Sequence, residues 1–243
     1  MEHTQLGREV KVTLPESARE LTIEQYQKFL KVQGDDTFTM LKALEIFANI
    51  PLKVAYAMKA DDIMDIGNSI FTMIGAKHPL TRRVTFRGRE YGFVPNLEEM
   101  SFGEYIDLDT YLADMDMLHK TIGVLYRPIT KEKGDLYEVE PYNGTDGYSD
   151  FPLDVALGAT LFLSFKQQVI EEYPDLFTGG ETTDLSASAN FSRKWGWYGS
   201  VDHLAGGDAS RYDSITNLPL RQCLTKLVYD KEKADVERKM LKS

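Results

Sequence analysis

The spacing of apolar residues along the chain predicts many helices and a small amount of strand. Val84 and Phe86 alternate with polar residues before Gly88, and Tyr91 and Phe93 alternate after it. This is the pattern of a β-hairpin whose turn contains the glycine. Elsewhere apolar residues recur every three or four positions, as they do on the buried face of a helix. We therefore predict an α+β fold in which helices predominate.

Two stretches of the chain carry the same features in the same order. "GREVKVTLPESARELTIEQY" begins at Gly7, and "GREYGFVPNLEEMSFGEY" begins at Gly88. Each runs through an apolar alternation to a proline, and in the first stretch this alternation predicts a short strand at 10–14. Each then reaches a capping box, in which a hydroxyl residue precedes Gln or Glu by three positions. The capping-box pairs are Thr22 with Gln25, and Ser101 with Glu104.

The similarity extends further along both stretches. An apolar helical pattern ends at Pro51 in the first stretch and at Pro128 in the second. An apolar segment with Asp near its start follows at 64–71 and at 153–162. Repeats of this kind indicate a structural unit that occurs more than once. We interpret the chain as an internal duplication, in which each unit is a strand or hairpin followed by three helices.

This interpretation sets the predicted domain boundaries. A segment rich in Gly, Ser and Thr is expected to be a linker, and the helical module after it contains a short helix with a glycine stop and a long helix that starts at a proline. Within the second unit, "DLYEVEPY" alternates like an edge strand. The predicted segments are the first unit at 1–78, the second at 79–175 with a tyrosine-rich insertion at 129–151, the linker at 176–190 and the C-terminal helical module at 191–243.

The charge balance restricts the partners that the chain can have. Lys and Arg number 28 against 38 Asp and Glu, so the formal net charge is −10. This balance argues against nucleic-acid binding, which needs a basic surface. No apolar run approaches the roughly 20 residues that cross a bilayer, and the first residues lack a signal-peptide pattern. The single cysteine excludes an internal disulfide and fits an intracellular setting.

Residue types that carry catalysis or bind metals are scattered along the chain. The four histidines show no metal-ligand spacing, and no nucleophile elbow, P-loop or dinucleotide-binding glycine motif occurs. Cys223 has leucines at helical spacing, which predicts a small buried residue rather than a nucleophile. Asp61, Asp62 and Asp65 are interpreted as the acidic first turn of a helix, where carboxylates suit the helix dipole. We therefore expect no enzymatic activity, no cofactor and no bound metal.

The strongest sequence candidate for a working surface is the segment 98–117. It holds seven acidic residues and no Lys, Arg or His, with methionines and aromatic residues distributed through it. Such a helix would be an adaptable surface for basic amphipathic helices, and a core helix with an acidic solvent face is the alternative. Aromatic residues of the insertion and the C-terminal module could anchor a partner or pack within the chain. The candidate partner-binding residues are Phe102, Tyr105, Leu108, Tyr111, Leu112, Met115, Tyr142, Tyr148, Trp195 and Trp197.

Several stretches together resemble a known family. "ELTIEQYQKFL", "LKALEIFANIP" and "ADDIMDIGNSIFTMI" resemble the helices of the tail assembly chaperones of long-tailed bacteriophages. "KWGWYGSVDHLAGGD" and "LPLRQCLTKLVYDKEK" resemble the C-terminal extension of fused chaperones of that family. A related resemblance is to phage baseplate-hub assembly proteins.

The resemblance implies a non-enzymatic role in the host cytoplasm. Members of this family bind the tape-measure protein, keep it soluble and help to recruit tail-tube subunits. The expected partners are therefore other phage proteins, without nucleic acid or membrane, and a homo-oligomer is compatible with the sequence. The alternative is a structural virion protein of the baseplate, neck or tail.

Overall fold

The computed structural model confirms the predicted fold class. Its described residues form an α+β fold that is predominantly helical and contains one four-stranded antiparallel sheet. The residues described are 14–112, 114–144, 147–159, 161–177 and 187–241.

The elements are numbered in chain order. The helices are α1 (Ile23–Leu30), α2 (Asp36–Phe47), α3 (Leu52–Ala55), α4 (Ala60–Gly75), α5 (Phe102–Leu112), α6 (Leu118–Leu125), α7 (Leu153–Gly158), α8 (Leu161–Glu172), α9 (Pro174–Phe177), α10 (Ala187–Ala205), α11 (Tyr212–Thr216) and α12 (Leu220–Met240). The strands are β1 (Arg83–Phe86), β2 (Arg89–Phe93), β3 (Tyr126–Lys133) and β4 (Leu136–Val139).

The chain divides into two compact units, and neither is a continuous segment. This division differs from the predicted boundaries, because α7 belongs to the first unit and the C-terminal helices belong with the sheet in the second. The predicted linker falls mostly outside the described residues, and its last four positions lie in α10. Unit 1 comprises Met1–Pro79 and Gly147–Gly158, and unit 2 comprises Leu80–Asp146 and Ala159–Ser243.

Unit 1 forms its core where α1, α2, α4 and α7 bring apolar residues together. The predicted capping box starts α1: the Gln25 N–H donates to Thr22 Oγ1 at 3.2 Å, and the Thr22 N–H donates to Gln25 Oε1 at 2.9 Å. Gln25 Nε2 also donates to the carbonyl oxygen of Ile46 at 2.7 Å, which ties α1 to α2. The buried side chains at the centre include Leu21, Leu41, Leu44, Phe47, Ile50, Ile70 and Leu153.

The sheet of unit 2 has the strand order β1-β2-β3-β4. β1 and β2 form the predicted hairpin, and its turn residues Arg87 and Gly88 have φ values of 50° and 75°. Positive φ at both positions is what a type I′ turn requires. β4 lies at an edge, as predicted. β3 was not predicted, because a proline within it, Pro128, and a run of charges after it mask the alternation.

The C-terminal helices follow the predicted pattern more closely. α10 ends before Gly206 and Gly207, whose φ values are 71° and 77°, so the predicted glycine stop is confirmed. α12 begins directly after Pro219 and buries Cys223, which is 2% exposed. From Lys231 onward most side chains of α12 are exposed. α5 packs against α6, α11 and α12, so these helices share one core.

In unit 1, two antiparallel backbone hydrogen bonds join the start of α1 to the start of α7. The Ile23 N–H donates to the Phe151 carbonyl at 3.1 Å, and the Leu153 N–H donates to the Leu21 carbonyl at 2.8 Å. Thr22 and Pro152 therefore lie opposite each other, and each directly precedes a helix. We call this arrangement a paired helix start.

Unit 2 contains the same arrangement at the start of α5 and α12. The Phe102 N–H donates to the Leu218 carbonyl at 2.8 Å, and the Leu220 N–H donates to the Met100 carbonyl at 3.0 Å. In both units a capping-box helix is therefore joined to a helix that a proline precedes.

Two other predicted landmarks of the repeat differ between the units. Pro51 directly precedes α3, whereas Pro128 lies inside β3. The segment 64–71 lies within α4, but 153–162 is divided between α7 of unit 1 and α8 of unit 2. The strand predicted at 10–14 lies almost wholly outside the described residues. The structural similarity between the units is thus local to the paired helix starts.

Candidate functional site

The α5 side chains that were predicted to contact a partner are interior. Phe102, Tyr105 and Leu108 are each 0% exposed. Trp197 of α10 packs edge-on against this stripe, with ring centroids 5.6 Å from Phe102 and 5.8 Å from Tyr105. The alternative interpretation, a core helix, therefore describes this face of α5. Buried side chains offer no contact area to a partner, so the predicted surface is corrected at these three positions.

The carboxylates of α5 also have partners inside unit 2. Asp107 Oδ2 accepts a hydrogen bond from the Tyr142 hydroxyl at 2.5 Å. Asp109 Oδ2 accepts one from Trp197 Nε1 at 2.9 Å, and its Oδ1 lies 2.6 Å from Lys166 Nζ. Lys166 neutralises Asp109, so this part of α5 does not present an open acidic surface. Asp107 keeps its negative charge, because its partner is a neutral hydroxyl.

The remaining candidates are more accessible and belong to several different elements. Tyr111 and Leu112 are half-buried at the end of α5, and Met115 just beyond it is 47% exposed. Trp195 on α10 is 40% exposed. Tyr148 belongs to unit 1, in the loop before α7. Among the aromatic candidates outside α5, Tyr142 and Trp197 contact that helix, as described above.

A groove opens beside α5 within unit 2. Its volume is about 400 Å³, and its walls come from α5, α10, α11 and the segment that follows β4. Four aromatic side chains contribute to the lining, and the one charged residue among the lining residues is an aspartate. We call it the aromatic groove and define it by Asp107, Tyr142, Trp197, Tyr198 and Tyr212.

Two tyrosines form the α10–α11 side of the aromatic groove. The Tyr212 hydroxyl donates to Asp202 Oδ1 at 2.6 Å and lies 3.3 Å from the Tyr198 hydroxyl. Their rings meet edge to face with centroids 5.6 Å apart. Tyr198 is 54% exposed, so it forms the accessible lip of the groove. Neither Tyr212 nor Asp202 is among the sequence candidates. The spacing of Tyr198 and Asp202, one helical turn apart, places these two residues on one face of α10. No local pattern marks Tyr212, because its bond to Asp202 joins two different helices.

The hydroxyls that bind carboxylates in this groove are held in the neutral form. Burial, followed by the hydrogen bond to Asp107, raises the pKa of Tyr142. The hydrogen bond to Asp202, followed by the one with Tyr198, raises the pKa of Tyr212. A phenol beside a carboxylate would meet charge repulsion if it ionised. The groove therefore combines aromatic surface, neutral hydroxyls and one carboxylate, which suits an amphipathic or cationic side chain.

The described residues offer little support for other kinds of site. No group of three His, Cys, Asp or Glu side chains within them is placed to hold a metal ion. None of the helices in the described ranges combines the length and apolar character that crossing a membrane requires. Burial raises the pKa of the Cys223 thiol to about 11, so it stays protonated and poorly nucleophilic.

Comparisons with known proteins do not assign a family. The chain matches no protein-family model, no curated protein and no solved structure. The function is therefore argued from the geometry of unit 2 and from the resemblance in sequence.

Proposed function

We propose that this protein is a non-enzymatic bacteriophage tail-assembly chaperone that binds the tape-measure protein in the host cytoplasm. The observation that carries the proposal is the aromatic groove, with Tyr198 exposed at its lip and Asp107 as its one charged lining residue. Tyrosine and tryptophan are frequent anchors of protein interfaces. The resemblance of several helical segments to that chaperone family supports the choice of partner.

The groove suggests how a partner segment would bind. A helix with an apolar face would place side chains between Tyr142 and Tyr198, over the ring of Trp197. A basic residue on the same helix would face Asp107, which favours one orientation of the partner. Met115 and Trp195, which are also exposed in unit 2, are candidates for further contacts.

Co-purification with the tape-measure protein tests this proposal. The full chain, co-expressed with a phage tape-measure protein, should retain that protein on an affinity resin. Tyr198→Ala should reduce the retained amount by about tenfold, because an anchor contributes more than 1 kcal/mol. Tyr229→Ala is the matched control, since Tyr229 is 58% exposed on α12 and does not line the groove. Failure of the unaltered chain to retain the tape-measure protein would refute the proposal.

A second measurement separates the chaperone from a structural virion protein, which is the alternative function. Mass spectrometry of purified phage particles should find the proposed chaperone absent or far below the level of structural subunits. Its presence in stoichiometric amounts would favour a baseplate, neck or tail component.

We also infer that the two paired helix starts derive from an internal duplication. The support is the identical order of backbone donors and acceptors in the two units, together with a capping box in each. If the starts are equivalent, the swaps Thr22→Ser and Ser101→Thr should each change the free energy of unfolding by less than about 0.5 kcal/mol. A large loss from either swap in urea denaturation would indicate different local requirements.

A further inference from the structure

A second groove lies in unit 1, between α2 and α4. Its volume is about 360 Å³. Met40 of α2 lines one side, and Ile63, Met64 and Phe71 of α4 line the other. These three positions recur at helical spacing and form one apolar stripe along α4. We call it the α2/α4 groove and define it by these four residues together with Asp36.

The floor of the α2/α4 groove is formed by a close approach of the two helices. Gly67 is buried, and a Cβ atom there would come within 2.4 Å of Met40 Sδ. Phe71 is held by the ring of Phe29, at a centroid distance of 5.5 Å. Met64 is 47% exposed at the opposite lip. The groove therefore has a fixed floor and a flexible thioether at its edge, which can adapt to different side chains.

The rim of this groove is acidic and its carboxylates are not paired. Asp36 lines the groove from the first turn of α2. Asp61, in the first turn of α4, lies about 60° around that helix from Met64. Both are exposed, and their side chains make no ion pair with any described residue. Their two negative charges exceed the one positive charge of Lys59, which precedes α4. This differs from α5, where Glu104 pairs with Arg127 and Asp109 pairs with Lys166.

We propose that the α2/α4 groove binds a positively charged amphipathic helix of a partner protein. Large apolar side chains, one turn apart on that helix, enter between Met40 and Met64. Lysine or arginine residues beside them face Asp36 and Asp61. Charge complementarity selects this occupant over a neutral or acidic helix, because burying apolar area beside unpaired carboxylates favours a cationic flank. The proposal concerns unit 1 and does not depend on the function assigned to the aromatic groove.

Binding of a designed peptide to the full chain tests the proposal. The probe is a fluorescein-labelled helix of about 18 residues, with leucine on one face and lysine on the flanks. Two matched peptides keep the leucines in place with glutamate flanks, or keep the composition but scramble the apolar face. Fluorescence anisotropy should show binding of the lysine peptide, weaker binding as salt rises, and at least about tenfold weaker binding of both matched peptides.

Neighbouring charge reversals on α4 provide the control for location. Asp61 lies about 60° around the helix from Met64, whereas Asp62 lies about 160° away, on the opposite face. Asp61→Lys should weaken binding by about tenfold, and Asp62→Lys, which changes the net charge equally, should change it by less than about twofold. Met64→Ala should weaken binding without any charge change. Circular dichroism should show the same helix content in all variants.

Three results would overturn the proposal. Equal losses from Asp61→Lys and Asp62→Lys would indicate unspecific attraction, and equal binding of the glutamate peptide would indicate that charge plays no part. Loss of peptide binding in Tyr198→Ala would place the peptide in the aromatic groove instead. The proposed chaperone function is tested by a different measurement, the retention of the tape-measure protein. Failure of one proposal can therefore be distinguished from failure of the other.

Discussion

Removal of the Glu104 side chain should strongly destabilise unit 2, because this buried carboxylate has two roles. Its Oε2 accepts the Ser101 N–H at 2.7 Å and completes the capping box of α5. Its Oε1 lies 2.9 Å from Arg127 Nη1 on β3, and the two side chains are 8% and 11% exposed. The Glu104 carboxylate therefore caps the N-terminus of α5 and also neutralises the buried Arg127 guanidinium.

The expected cost follows from these two contacts. Loss of the cap in Glu104→Ala costs about 1 kcal/mol. Leaving Arg127 buried without its partner costs about 3 kcal/mol more. Glu104→Gln keeps a cap acceptor and removes only the charge, so it should cost about 2 to 3 kcal/mol. Gln25, which occupies the same cap position in unit 1, shows that an amide fills this role.

Urea denaturation followed by tryptophan fluorescence measures this cost. Both tryptophans lie in unit 2, so the signal reports on the unit that contains Glu104. Gln25→Ala is the matched control, with an expected cost of about 1 to 2 kcal/mol from the cap and its bond to Ile46. Because Gln25 lies in unit 1, its unfolding is followed by far-UV circular dichroism rather than by tryptophan fluorescence. The double variant Glu104→Gln with Arg127→Met should recover most of the loss, because no buried charge is left alone. If Glu104→Ala costs no more than about 1 kcal/mol, the argument for the buried pair is refuted.

Two further predictions concern buried groups. The Tyr105 hydroxyl is buried without a hydrogen-bond partner among the described residues, so Tyr105→Phe should leave the free energy of unfolding unchanged or raise it by about 1 kcal/mol. A loss above about 1.5 kcal/mol in urea denaturation would show that the hydroxyl makes a stabilising bond. Burial raises the pKa of the Cys223 thiol from 9.0 to about 11. Between these two pH values the thiol ionises in the unfolded chain before it ionises in the folded chain. The stability that the buried thiol contributes is therefore fully present below pH 9 and is lost as the pH rises toward 11. In Cys223→Ala, the free energy of unfolding should fall less between pH 9 and pH 11. Rapid reaction of the native thiol with a disulfide reagent at neutral pH would contradict the assignment of Cys223 as buried.

The candidate sites depend on contacts that the sequence does not predict. The acidic, aromatic composition of α5 was visible, but whether it faced a partner or the core was left open. Trp197, 92 positions away from Tyr105, decided the matter by packing against that face. Conversely, the sequence predicts Asp61 only as part of a helix start. Its position beside an apolar groove depends on how α2 packs against α4, which no local pattern records.

The sequence by itself determined the features whose interactions span a few residues. The capping boxes at Thr22 and Ser101, the turn at Gly88 and the helix stop at Gly206 were predicted correctly, because each depends on a side chain or a φ value close by in the chain. Tertiary structure decided the assignment of α7 to unit 1, the strand β3 and the partners of the α5 carboxylates. These depend on contacts between residues far apart in sequence, and burial or pairing of a side chain is a property of the neighbours that folding supplies.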